Sequence, residues 1–122
     1  PIVLLSSVVG VWLFYVQHQF EHTYWRKGPR WDFHEASVRS SSYYALPQPL
    51  RWLSANIGIH HLHHLSSRIP SYRLGACLAD MPDLQTLNRI SLRDSVVCLR
   101  FALWDENAQR MITFKHLRRM TV

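Results

Sequence analysis

Cysteine is scarce in this sequence: two residues, Cys77 and Cys98, with no Cys-x-x-Cys spacing. That excludes a disulfide framework and suits a reducing compartment. Glycine is sparse too, with four scattered residues, so there is no phosphate-cradling loop of the kind that opens a nucleotide site. Internal repeats and low-complexity tracts are absent. Acidic residues are also few, eight against fourteen Lys and Arg, and the net charge of +6 favours an anionic partner: a phospholipid surface, a nucleic acid or an acidic protein. A length of 122 residues allows one small domain, and a hydrophobic content of 48% rules out a disordered chain. Histidine is what the chain has in excess, with eight residues.

Pro1 to Val16 is apolar from its first residues, interrupted by Ser6, Ser7 and Gly10, and no initiator Met precedes it. The chain therefore reads as a piece of a longer protein, with residues 1–17 as the end of a transmembrane helix that runs into Gln17, His18 and Glu21. A secretory leader is a poor fit, because no basic segment precedes the apolar stretch. Trp12, Tyr15, Tyr24, Trp25 and Trp31 suit an interfacial aromatic belt, and Arg26, Lys27 and Arg30 read as positive-inside charges that place the rest of the chain in the cytoplasm. A buried helix of a soluble protein is the competing reading of this segment.

Beyond it, Ser37 to Pro49 is rich in Ser, Tyr and Pro and reads as a loop. Pro49 opens a helix expected over residues 50–65, with Gly58 as its weak point. A third helix is expected from Ser71 to before Pro82, with Leu74, Cys77 and Leu78 on one face. Ser91 and Asp94 form a capping box for a fourth, on which Leu92, Val96, Leu99 and Leu103 recur at helical spacing. The expected fold class is all-α: a membrane helix followed by cytoplasmic helices. Residues 18–80 form the candidate metal-binding region, and residues 81–122 an amphipathic helical tail.

Chemistry concentrates in Asn56-Ile-Gly-Ile-His60-His-Leu-His63-His64. On a helix, positions i, i+3 and i+4 share one stripe, so His60, His63 and His64 can face the same volume. Neutral imidazoles offer lone pairs to a borderline metal such as iron or zinc. The alternative, a solvated histidine run with no role, sits poorly with Ile57, Ile59, Leu62 and Leu65 around it. Asn56, one turn earlier, is a candidate to bind a metal through water or orient a ligand, and equally a plain polar residue near a helix start. At the end of the apolar segment, His18 and His22 are spaced to share a helical face, His18 being the stronger ligand candidate. Glu21 points elsewhere, to support a ligand, pair with Lys or Arg, or face solvent. The spacing is not the His-Glu-x-x-His of zinc proteases. His34 and His116, among charged residues, read as surface side chains.

The segments Tyr15-Val-Gln-His-Gln-Phe-Glu-His-Thr-Tyr-Trp25, Leu50-Arg-Trp52, Asn56-Ile-Gly-Ile-His-His-Leu-His-His-Leu65 and Arg68-Ile-Pro70 resemble the C-terminal part of bacterial acyl-lipid fatty acid desaturases, a membrane di-iron family. His60-x-x-His63-His64 resembles that family's third histidine box. The resemblance implies a helical membrane bundle holding two iron ions through histidines, here His18, His60, His63 and His64, with His22, Asn56 and Glu21 as weaker or supporting positions. It further implies a fatty acyl lipid substrate, O2-dependent introduction of a double bond, electrons from a carrier such as ferredoxin or cytochrome b5, and residence in the bacterial inner membrane. The family's first two histidine boxes lie upstream of these segments, so the 122 residues are expected to supply part of the ligand set and to be inactive alone. Two other outcomes compete: a hydroxylase or ketolase with the same metal chemistry, and a non-enzymatic basic module whose histidines hold zinc. The basic residues Arg26, Lys27, Arg30, Arg68 and Arg73 serve as topology signal, or meet head groups or an acidic donor. A nucleic-acid partner fits poorly, since the basic residues are scattered.

Overall fold

The computed structural model describes residues 1–120. The apolar opening segment forms α1 (Ile2–His18), which stops where Gln19 leaves helical geometry while its N–H still donates to the Tyr15 carbonyl. At 1.5 Å per residue, its 17 residues span about 25 Å. No helix of the described residues is long and apolar enough to cross a membrane, so the expected transmembrane character of residues 1–17 has no support in helix length. The segment is nevertheless not a buried core helix: Ile2, Val3, Leu4, Leu5, Val8, Val9, Val11 and Phe14 are all exposed, and burial begins near its end, at Val16 and Gln17.

Short elements follow, each set by local chemistry. Asp32 caps α2 (Phe33–Arg39) by accepting from the Glu35 N–H at 2.8 Å. Pro47 and Pro49 punctuate the entry to α3 (Gln48–Leu53), since proline fits the first helical turn. The helix expected over 50–65 is broken in two. Ala55 and Asn56 adopt left-handed backbone angles, φ 52° and 57°, and reverse the chain before α4 (His60–Leu65) begins. Gly58 sits at this break for a steric reason: a Cβ there would collide with the Tyr44 carbonyl oxygen. The third expected helix is shorter than its pattern and runs as α5 (Leu74–Ala79), followed by α6 (Pro82–Thr86) with proline at its first position.

The all-α expectation requires correction, because the molecule is mostly helical but carries two small strand pairs. The strand β1 (Tyr43–Tyr44) lies inside the predicted loop and pairs in parallel with β2 (Arg89–Ile90). The capping box at Ser91 and Asp94 does start α7 (Leu92–Cys98), but that helix ends before Leu103. Leu103 instead belongs to β3 (Phe101–Asp105), antiparallel to β4 (Arg110–Thr113), and α8 (Phe114–Met120) closes the described chain. Residues 81–120 are therefore a helix and strand mixture rather than a helical tail. The Asp105 carboxylate, accepting from the Asn107 and Ala108 N–H groups, organises the hairpin turn.

Two apolar clusters hold these pieces. Val16, Phe20, Tyr44, Leu46, Ile90 and Cys98 fasten the end of α1 to the β1–β2 pair. Ile59, Leu62, Leu74 and Leu78 fasten α4 to α5. Both clusters meet at β1, against which α1 and α4 each pack. The strand thereby brings together two segments that carry histidine.

Candidate metal centre

His18 ends α1, and its Nδ1 lies 2.8 Å from the Phe14 carbonyl oxygen one turn back. A carbonyl can only accept, so in the neutral ring Nδ1 carries the proton and Nε2 keeps its lone pair, aimed away from the helix. His60 and His64 lie one turn apart on α4. Their Nε2 atoms are 3.0 Å apart, and the His64 Nε2 is 3.2 Å from that of His18. One ligand atom from each of the three rings falls within 4.8 Å of every other. Metal to imidazole distances of about 2.1 Å place neighbouring ligand nitrogens roughly 3.0–3.4 Å apart, which the two Nε2 separations match.

The electrostatics favour neutral rings. His60 is 8% exposed, and its pKa falls to about 3, first because burial disfavours the imidazolium and then because His64 and His18 stand beside it. His64 is also lowered, by burial and then by His18 and His63. The Nδ1 of His60 is buried with no hydrogen-bond partner in the structure. A ring that is deeply buried, deprotonated and unpaired on one nitrogen is a costly core residue. The donor set fits a borderline cation: three imidazole nitrogens, no carboxylate among them, converging from two helices.

The other predicted positions are placed apart from this trio. His63 stacks on His60, with ring centroids 5.6 Å apart and planes 27° from parallel, but its nitrogens lie outside the converging group. His22 does not share a face with His18 as the spacing implied, because α1 ends at His18. It is exposed on the following turn, beside a hollow lined by Arg39, Trp104 and Gln109. Asn56 is not one helical turn before His60 on a common face either. Its side chain lies in the left-handed reversal and donates to the Ser71 carbonyl at 3.0 Å. Of the roles open to Glu21, pairing with arginine is the one observed, since it accepts from Arg110 at 2.8 Å, and its carbonyl accepts from the Met111 N–H.

Three contributors went unread in the sequence. The Phe14 carbonyl fixes the His18 ring, and a main-chain acceptor leaves no residue-type signal. His61, fully buried, lies with its Nε2 3.0 Å from the Leu84 carbonyl and ties α4 to α6. Burial lowers its pKa, against the opposing effect of that hydrogen bond. Its place on the apolar side of α4, next to Leu62, was the available clue. Finally, a cavity of about 480 Å³ opens on His18 and is walled by Trp25, Trp104 and Met111, two of them from the unpredicted hairpin.

Residues 1–94 match the family model described as "Fatty acid desaturase". The chain is also similar to a curated "Fatty acid desaturase" of Bacillus subtilis (strain 168), with 42% identity over 122 residues, the whole of this chain and 35% of that protein. It thus spans about a third of the length of the relative it matches.

Proposed function

The chain belongs to the fatty acid desaturase family, and we propose that it supplies His18, His60 and His64 to an iron centre that uses O2 to introduce a double bond into a fatty acyl chain. His63, stacked on His60, is the fourth ligand in this reading, and two irons are shared with histidines from the rest of the protein. The observation that carries the proposal is the convergence of three Nε2 atoms from segments 46 residues apart in sequence. When bound, iron supplies redox chemistry, which a methylene C–H needs because it offers no acidic proton to a side-chain base.

The residues of this chain hold and orient. The Phe14 carbonyl fixes the His18 tautomer, burial keeps His60 neutral, and α4 presents His60 and His64 as a pair. In the balanced reaction the acyl chain loses two hydrogens, and O2 becomes two waters with two protons from solvent and two electrons from an external donor such as ferredoxin or cytochrome b5. The proposed setting is the bacterial inner membrane, with the histidine cluster on the cytoplasmic side. It is supported by the exposed apolar side chains of α1, by exposed Trp25 and Trp31, and by Arg26, Lys27 and Arg30 between them.

The test uses the complete protein carrying His18→Ala, His60→Ala or His64→Ala, with iron content and acyl products measured together. Loss of both in each variant is expected. Retained iron with a retained unsaturated product would refute the ligand assignment. An oxygenated product would instead identify a hydroxylase or ketolase, and bound zinc without an O2-dependent product a non-enzymatic module.

A further inference from the structure

Gln17 is 1% exposed, an unusual position for a polar side chain at the end of an otherwise apolar helix. Its side-chain amide N–H donates to the Ile57 carbonyl at 3.0 Å, and its main-chain carbonyl accepts from the Ser42 N–H at 3.0 Å. These two bonds attach the last turn of α1 to the reversal that leads into His60 and to the stretch that leads into β1. The residue directly after Gln17 is His18. Helix α4 packs mainly on α2 and, like α1, also on β1, while α1 and α4 pack little on each other, so direct helix-to-helix contact does little to fix the spacing between His18 and the His60–His64 pair. We propose that Gln17 is a positioning residue for the histidine cluster: its amide sets the distance from His18 to the two rings of α4. This rests on the metal-centre reading above and adds a residue that touches none of the metal-facing nitrogens.

An apolar residue of similar volume would fill the same space without burying an amide. The hydrogen bond is directional where apolar packing is not, and a metal site needs ligand placement finer than packing alone enforces. Losing a group that orients a ligand costs about 10- to 100-fold in metal affinity.

The experiment compares wild type, Gln17→Met and the core truncation Leu78→Ala, which lies in the α4–α5 cluster away from the three rings, all in the complete protein. Two quantities are read: the rate of iron release to a chelator, and the visible spectrum after substitution with cobalt(II). The melting temperature of the metal-free form is measured alongside. Gln17→Met is expected to release iron about 10- to 100-fold faster and to shift the cobalt bands, with a melting temperature no lower than that of Leu78→Ala. Unchanged release and an unchanged spectrum would overturn the proposal. So would equally fast release and an equal spectral shift in Leu78→Ala, because the effect would then be general loosening. If Gln17→Met does not accumulate folded, Gln17→Asn, whose amide is one methylene short, is read by the same outcomes. A wild-type protein that binds neither metal would refute the metal centre itself, whereas binding that depends on His64 but not on Gln17 would refute this inference alone.

Discussion

Acidification is the perturbation that tests the histidine cluster most directly. In the unfolded chain His60 titrates near 6.5, whereas in the folded, metal-free protein burial and its neighbours hold it down to about 3. Protons therefore bind the unfolded state more readily, and stability falls as the pH drops below 6.5, levelling off only near 3. Above 6.5 the ring is neutral in both states and contributes no pH dependence. The slope is about 1.4 kcal/mol per pH unit for one such ring, so lowering the pH from 7 to 5 costs about 2 kcal/mol through His60 alone. His61 and His64, also lowered, act in the same direction. With a urea dependence of about 2 kcal/mol/M, the His60 effect moves the unfolding midpoint by about 1 M. The assay is urea unfolding of chelator-treated protein at several pH values, for wild type and for His60→Gln, which keeps a polar side chain but does not titrate. The wild type is expected to lose about 2 kcal/mol more than the variant between pH 7 and 5. Parallel curves, or a wild type indifferent to pH over that range, would mean that His60 is not held neutral by its burial.

Three further outcomes follow from local geometry. Gly58→Ala drives a methyl into the Tyr44 carbonyl and strains the 2.7 Å bond from the Tyr44 N–H to the Gly58 carbonyl, so unfolding measurements should show a loss of about 2–3 kcal/mol. Ser91→Ala removes the cap of α7 and should cost about 1 kcal/mol, read as a lower melting temperature. Glu21→Gln breaks a half-exposed ion pair with Arg110 and should cost less than about 1 kcal/mol, because the Met111 N–H to Glu21 carbonyl bond still docks the hairpin; a larger loss by denaturant titration would contradict this.

Much of the site was legible because it depends on helical phase and residue type. Residues i and i+4 differ by about 40° around a helix and residues i and i+3 by about 60° on the opposite side, so a third ring arriving from one direction meets His60 and His64 but not His63. The side from which His18 would come is a tertiary fact, and one short segment does not contain it. Asn56 was misplaced because two successive left-handed residues, Ala55 and Asn56, interrupt a pattern that looks helical by its apolar spacing. The expected position of His22 failed because α1 ends four residues too early. In the fold, Pro49 marked the start of α3 and the Ser91–Asp94 capping box that of α7, whereas α2, whose end lies in the expected loop, and α6, which begins at the proline read as a stop, were not foreseen. The pair Tyr43–Tyr44 and Arg89–Ile90 was invisible, since a two-residue strand has no period and its partner lies far along the chain. The β3–β4 hairpin was hard to read: Phe101, Ala102, Leu103 and Trp104 form a continuous apolar run with no alternation of apolar and polar residues, and the helical apolar spacing of α7 runs straight into it.

The wide sequence interval between His18 and His64 carries a consequence for how the protein is assembled. A cation gripped by both rings would act as a covalent-like staple closing a loop of 46 residues. On chain-entropy grounds such a closure removes freedom worth about 4 kcal/mol from the denatured ensemble. Loading would thus add a second tether to the apolar cluster that already fastens the end of the first helix to the β1–β2 pair.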